Sequence, residues 1–67
     1  MKNKIESLRK ERGIQQEQLA SALGVSRQTI SSLENGRYNP SILLAHRLAA
    51  YFGLAIEDVF IFEEESK

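Results

Sequence analysis

Residues 25–37 read VSRQTISSLENGR. Ile30 and Leu33 are apolar at helical spacing, but Arg27, Gln28, Thr29, Ser31, Ser32 and Asn35 fill the other positions with hydrogen-bonding groups. An ordinary surface helix would carry Lys and Glu there. The chemistry such a face can do is recognition of a polar surface by hydrogen bonds. Catalysis has little support elsewhere: no Ser/His/Asp or Cys/His arrangement, metal-ligand spacing or Gly-rich phosphate loop stands out. Without cysteine there is no disulfide, and the single histidine cannot build a zinc site. His46 falls on the outward side of a helix and reads as a solvated surface residue. Neither cofactor nor metal nor small-molecule ligand is expected, and the chain is not expected to be an enzyme.

The elements that must hold this face are short. A chain of 67 residues makes one domain, near the small end of what folds unaided. It is 42% hydrophobic with three Phe, two Tyr and no Trp, so the core must rest on Leu, Ile, Val and Ala. A core that small often leans on a partner subunit, so oligomerisation is expected. No stretch approaches the apolar length of a membrane span and no charged-then-apolar leader opens the sequence, which predicts a cytoplasmic protein without membrane contact. Formal net charge is zero, but its distribution is uneven. Residues 1–56 hold eight Lys and Arg against four Glu, and residues 57–67 hold five acids against Lys67. Such a split would orient the molecule on a polyanion; it is equally what a mixed surface with an acidic tail looks like.

Periodicity predicts helices throughout. Residues 3–12 place Ile5 and Leu8 among charges, with Gly13 as the stop. Residues 16–23 put Leu19, Ala20 and Leu23 on one face before Gly24, behind Gln15, a poor N-cap. Ser26 caps a helix over 27–35 with Val25, Ile30 and Leu33 inward, closed by Asn35-Gly36. Asn39-Pro40 reads as N-cap and first residue of a fourth helix running to Phe52. IEDVF, residues 56–60, forms a last helical turn.

Two short helices joined by a tight Gly-containing turn, followed by a polar third element, form a helix-turn-helix pattern. The segment QQEQLASALGVSRQTISSLENGRYNPS resembles the motif of the Xre/Cro/cI repressor family, with the likeness running from about Ile5 to Phe60. Gln16, Leu19-Ala20, Gly24-Val25-Ser26, Ile30, Leu33-Glu34-Asn35-Gly36 and Pro40 carry it as a set. Overall length, YNPS and IEDVF look most like the short stand-alone members typified by the cytolysin-operon repressor. Gln15 departs from the family's usual Ser, Thr or Asn.

The resemblance implies an all-α, compact five-helix, lambda-repressor-like domain over residues 1–67, with helix-turn-helix elements at about 16–23 and 27–35. Its partner would be double-stranded DNA. Base edges in the major groove present donors and acceptors in a pattern unique to each pair, which is what a polar helix can read. Arg27, Gln28, Ser31 and Ser32 are the expected base contacts: Arg can fork onto guanine and Gln can pair with adenine. Gln16, Ser26, Asn35, Arg37, Tyr38 and Asn39 are the expected phosphate contacts, with Asn39 equally explained as a helix cap. Glu34 would repel phosphate, so the family pattern pairs it inward with Arg9 as a structural ion pair. Ile56, Val59, Phe60, Ile61 and Phe62 are too many apolar groups for a tail. Some belong to the core, and segment 54–62 is expected to supply a two-fold dimer interface, with a short strand around Ile61–Phe62.

These features predict a sequence-specific transcriptional regulator, a repressor acting as a homodimer on a palindromic operator. A second reading, of another class, makes the chain an antitoxin-like or adaptor module whose apolar and acidic C-terminal segment engages a protein. Neutral net charge and the sequence IFEEE favour it.

Overall fold

Glycines set the helix boundaries. The computed structural model describes residues 1–62, and these contain five helices: α1 (Ile5–Glu11), α2 (Gln16–Leu23), α3 (Arg27–Glu34), α4 (Ile42–Phe52) and α5 (Ile56–Val59). Glu63, Glu64, Glu65 and Lys67 of the acidic end lie outside the described residues. At the end of α2, Gly24 takes φ 72°, a left-handed conformation that glycine adopts without a Cβ penalty. The Val25 N–H then reaches Ala20 O at 3.0 Å and the Gly24 N–H reaches Ser21 O at 3.3 Å. The helix thus closes its last carbonyls in two residues, which is why α3 can start at Arg27.

The core draws side chains from all five helices, most of them from α2 and α4. Ile5, Leu19, Ile30, Leu33, Leu48 and Val59 are fully enclosed, and Leu23, Ala49, Phe52 and Phe60 nearly so. Each large side chain removed from water contributes about 1.5–3 kcal/mol before entropy is counted. α3 therefore has an anchored inner edge, Ile30 and Leu33, beneath its polar outer one. Arg12 closes the far side, donating to the Phe52 carbonyl at 2.9 Å with its guanidinium 5.1 Å from the Phe52 ring centroid. The all-helical expectation holds: no sheet forms among the described residues.

Four local expectations are corrected. The fourth helix is capped by Ser41, not Asn39; Ser41 Oγ accepts from the Leu44 N–H at 3.1 Å. Asn39 Oδ1 instead accepts from the Met1 ammonium at 3.3 Å, and the residue before a proline is pushed out of helical conformation. Asn35 is the C-cap of α3, not part of it. No strand runs through Ile61–Phe62. A single antiparallel bridge joins Asn3 to Phe60, with Lys4 N–H to Val59 O at 2.7 Å and Ile61 N–H to Lys2 O at 2.9 Å. The C-terminal segment thus pairs with the chain's own N-terminal residues.

The fourth correction concerns the expected dimer surface. Val59 and Phe60 are 0% and 1% exposed within a single chain, so they are core residues with no side-chain area left for a second copy. Ile56 is half-buried against the same core. Ile61 and Phe62 are exposed.

Candidate nucleic-acid interface

The polar residues of α3 divide into two groups. In the first, every side chain is already engaged. Ser26 accepts the Thr29 N–H at 3.1 Å and its hydroxyl lies 3.0 Å from that of Thr29, so the start of α3 is capped. Glu34 lies inward as expected: Arg9 Nε donates to its Oε2 at 2.7 Å and Arg9 Nη2 to its Oε1 at 3.2 Å, with both side chains a tenth exposed or less. The bidentate pair is charge-assisted on two bonds, and the Glu34 carboxylate holds the Arg9 guanidinium above its ordinary pKa. Arg9 Nη1 also donates to Ile14 O at 2.9 Å.

Gln16 extends this network in a way its residue type did not announce. Its Nε2 donates to Glu34 Oε1 at 3.0 Å, and its Oε1 accepts from Arg27 Nη1 at 3.2 Å. A continuous chain runs from Arg9 through Glu34 and Gln16 to Arg27. Gln16 and Arg27 were expected to meet DNA separately; the structure brings them together. The weak helix start at Gln15 is also resolved, because Gln18 Oε1 accepts the Gln15 N–H at 2.8 Å, one arm of a capping box.

The second group has no partner among the described residues. Among the described residues, the side chains of Gln28, Ser31, Ser32, Asn35 and Arg37 make no hydrogen bond or ion pair. Gln28, Ser32 and Asn35 fall four and three residues apart, opposite Ile30 and Leu33, and so form the outward stripe of the helix. Ser31 flanks it on the side of Arg27. Gln28, Asn35, Arg37 and Tyr38 are exposed and the two serines half-buried. Ser26, Gln28, Thr29, Ser32 and Tyr38 line one polar hollow, and Arg9, Gln15, Gln16, Glu17 and Arg27 line another beside it.

The loop behind the stripe is fixed by backbone bonds. Gly36, at φ 75°, lets Gly36 N–H reach Leu33 O at 3.0 Å and Arg37 N–H reach Ser32 O at 3.1 Å. This closure holds Arg37 and Tyr38 immediately beyond the stripe. Two N-terminal groups, neither singled out by the sequence reading, brace the same corner. Asn3 Nδ2 donates to Leu33 O at 2.7 Å, and the Met1 ammonium donates to Gly36 O at 2.9 Å. Their only signal was an Asn just ahead of the first apolar residue of α1. His46 is exposed on α4, and no group of metal-ligating residues occurs among the described residues.

A short helix, a left-handed glycine turn and a second helix with an unpaired polar face define a helix-turn-helix DNA-binding domain. Comparisons with known proteins agree, since the helix-turn-helix family model matches residues 5–59. An uncharacterized HTH-type transcriptional regulator of Methanocaldococcus jannaschii is 51% identical over 65 residues, covering 97% of this chain and 98% of that protein. The HTH-type transcriptional regulator YgzD of Bacillus subtilis is 47% identical over 66 residues, covering 98% and 100%. Among solved structures, a transcriptional regulator from Listeria innocua superposes with a TM-score of 0.80 at 28% identity. That match covers 100% of this chain, which spans 66% of the solved one. The chain belongs to the Xre-type helix-turn-helix family of transcriptional regulators, which are DNA-binding proteins and not enzymes. No helix among the described residues is long and apolar enough to cross a membrane.

Proposed function

We propose that the chain is a sequence-specific repressor that binds a palindromic operator as a homodimer and acts by occupying promoter DNA. The observation that carries this reading is the division within α3. Its structural polar groups are satisfied, while Gln28, Ser31, Ser32 and Asn35 are left unpaired on the exposed side of a helix whose other side is anchored in the core. Unpaired donors and acceptors at that spacing fit base edges. Arg27 and Gln28 sit in the first turn, where a recognition helix approaches the bases, and Ser31 and Ser32 are short enough for close approach. Ser26, Asn35, Arg37 and Tyr38 would contact phosphate, and so would Gln16 and Asn39 by exchanging their present partners.

Two copies of α3 would enter successive major grooves about 34 Å apart. Ile61 and Phe62, at 38% and 56% exposure, are the residues of the C-terminal segment left for the second copy. The whole chain, 1–67, would then serve as one DNA-binding unit in the cytoplasm. The test is selection of binding sites from a random duplex library at moderate salt with purified protein. Enrichment of a palindrome with half-sites about one helical turn apart supports the reading. A monomer that enriches nothing overturns it in favour of an adaptor-like module engaged through Ile61 and Phe62.

A further inference from the structure

Asn3 makes contacts in two directions. Its Oδ1 accepts the Ile5 N–H at 3.1 Å, turning the chain into α1. Its Nδ2 donates to the carbonyls of Leu33 at 2.7 Å and Met1 at 3.1 Å. Leu33 O is the same atom that accepts the Gly36 N–H in the closure of α3, so both of its lone pairs are occupied. The Asn3 backbone, meanwhile, is tied to the other end of the chain by the bridge to Phe60 and the flanking bonds of Lys2 and Lys4. Phe60 is 1% exposed, so the residue paired with the Asn3 backbone is itself part of the core. One side chain therefore connects the C-terminal segment to the corner from which Arg37 and Tyr38 project.

We propose that Asn3 is a positioning residue for DNA binding, fixing the 35–39 loop relative to the C-terminal segment without touching DNA. The proposal rests on the reading of α3 and this loop as the DNA contact surface. It goes beyond that reading, because it assigns control of the phosphate-contacting corner to an amide 30 residues away in sequence.

The variants Asn3→Ser and Asn3→Asp separate its two contacts. Either oxygen can still accept the Ile5 N–H, but ionised aspartate has no donor, and the serine O–H sits one atom nearer the backbone than Asn3 Nδ2 and falls short of Leu33 O. Serine adds no charge, which removes simple repulsion of DNA as the cause of any loss. Both bonds donated by the amide, to Leu33 O and to Met1 O, are lost, and affinity for the selected operator and for a random duplex should fall together, by about fivefold or more. The slope of affinity against salt should flatten as Arg37 loses its fixed position. In the DNA-free protein, the backbone amide resonances of Gly36 and Arg37 should move while those of residues 6–11, beyond the Ile5 N–H that the new side chain accepts, stay.

Native affinity and salt slope in Asn3→Ser overturn the proposal. So does a variant that loses only thermal stability, or one that unfolds, since Asn3 would then merely hold the fold. Wild-type protein that selects no duplex overturns the DNA-contact reading and this proposal with it, and that outcome is seen before any variant is made.

Discussion

Replacing Glu34 by alanine tests one of the most heavily bonded polar side chains among the described residues. The change deletes three hydrogen bonds, those from Arg9 Nε, Arg9 Nη2 and Gln16 Nε2, at 2.7, 3.2 and 3.0 Å. It leaves the Arg9 guanidinium, in a residue only 8% exposed, with the neutral carbonyl of Ile14 as its one remaining acceptor. Stranding a buried charge in this way costs about 3–5 kcal/mol. A domain of 67 residues holds roughly 3–10 kcal/mol in total, so Glu34→Ala should be largely unfolded or nearly so.

The companion variant makes the reasoning falsifiable. Arg9→Met with Glu34→Leu removes both charges at similar volume and should return to within about 1 kcal/mol of the native protein, because the desolvation penalty disappears with the pair. Urea titration followed by far-ultraviolet circular dichroism reads both. At about 1 kcal/mol per molar for a small domain, the single variant should lose about 3–5 M of its midpoint, or show no folded baseline at all. The titrations are compared at matched protein concentration, since the stability of the proposed homodimer would depend on it. A Glu34→Ala loss below about 1 kcal/mol, or a double variant no better than the single, would refute the stranded-charge account.

Three further outcomes are expected. Gln28→Ala should cost roughly 1–3 kcal/mol on the selected operator and relax preference at one base pair per half-site, measured by competition against single-base variants. Arg37→Ala should weaken binding to operator and random duplex alike and lower the salt slope by about one per half-site; equal behaviour of these two variants would sink the division of roles. Ser41→Ala should lower stability by about 1 kcal/mol through the lost cap on α4, whereas Asn39→Ala should cost less, and thermal denaturation ranks the two.

Much of the fold was legible because its signals are local. Gly24 and Gly53 stand one residue past the last apolar position of their helices and Gly36 three residues past Leu33, and Ser26 stands one residue before the start of α3. The start of α4 was misread because Asn39-Pro40 and Ser41 are both good caps within three residues. What decides between them is that Asn39 is occupied by Met1, a contact 38 residues away in sequence. Val59 and Phe60 were placed partly on a dimer surface for a similar reason. Four apolar residues in a row, Val59 to Phe62, show no period that separates inside from outside. In the structure Val59 and Phe60 are enclosed while Ile61 and Phe62 are exposed, a division in adjacent pairs that the alternation of an extended chain does not produce.

The binding face poses the harder question of how a helix keeps polar groups unpaired and still holds one position. α3 spans only eight residues, too few to be stable alone, so its placement must come from its neighbours. Apolar burial at Ile30 and Leu33 fixes its depth but is non-directional and leaves rotation and sliding weakly specified. Directional bonds supply the rest at both ends. Arg27 and Glu34 are held through Gln16 and Arg9 along one flank, and Leu33 O is held by Asn3 at the C-terminal end. These contacts come from α1, α2 and the N-terminal residues, and none uses the stripe Gln28, Ser32 and Asn35. The same arrangement explains how an acid would be tolerated in a helix proposed to approach phosphate. Glu34 is neutralised by Arg9 and turned away from the stripe, so the field presented outward is that of Arg27 and Arg37.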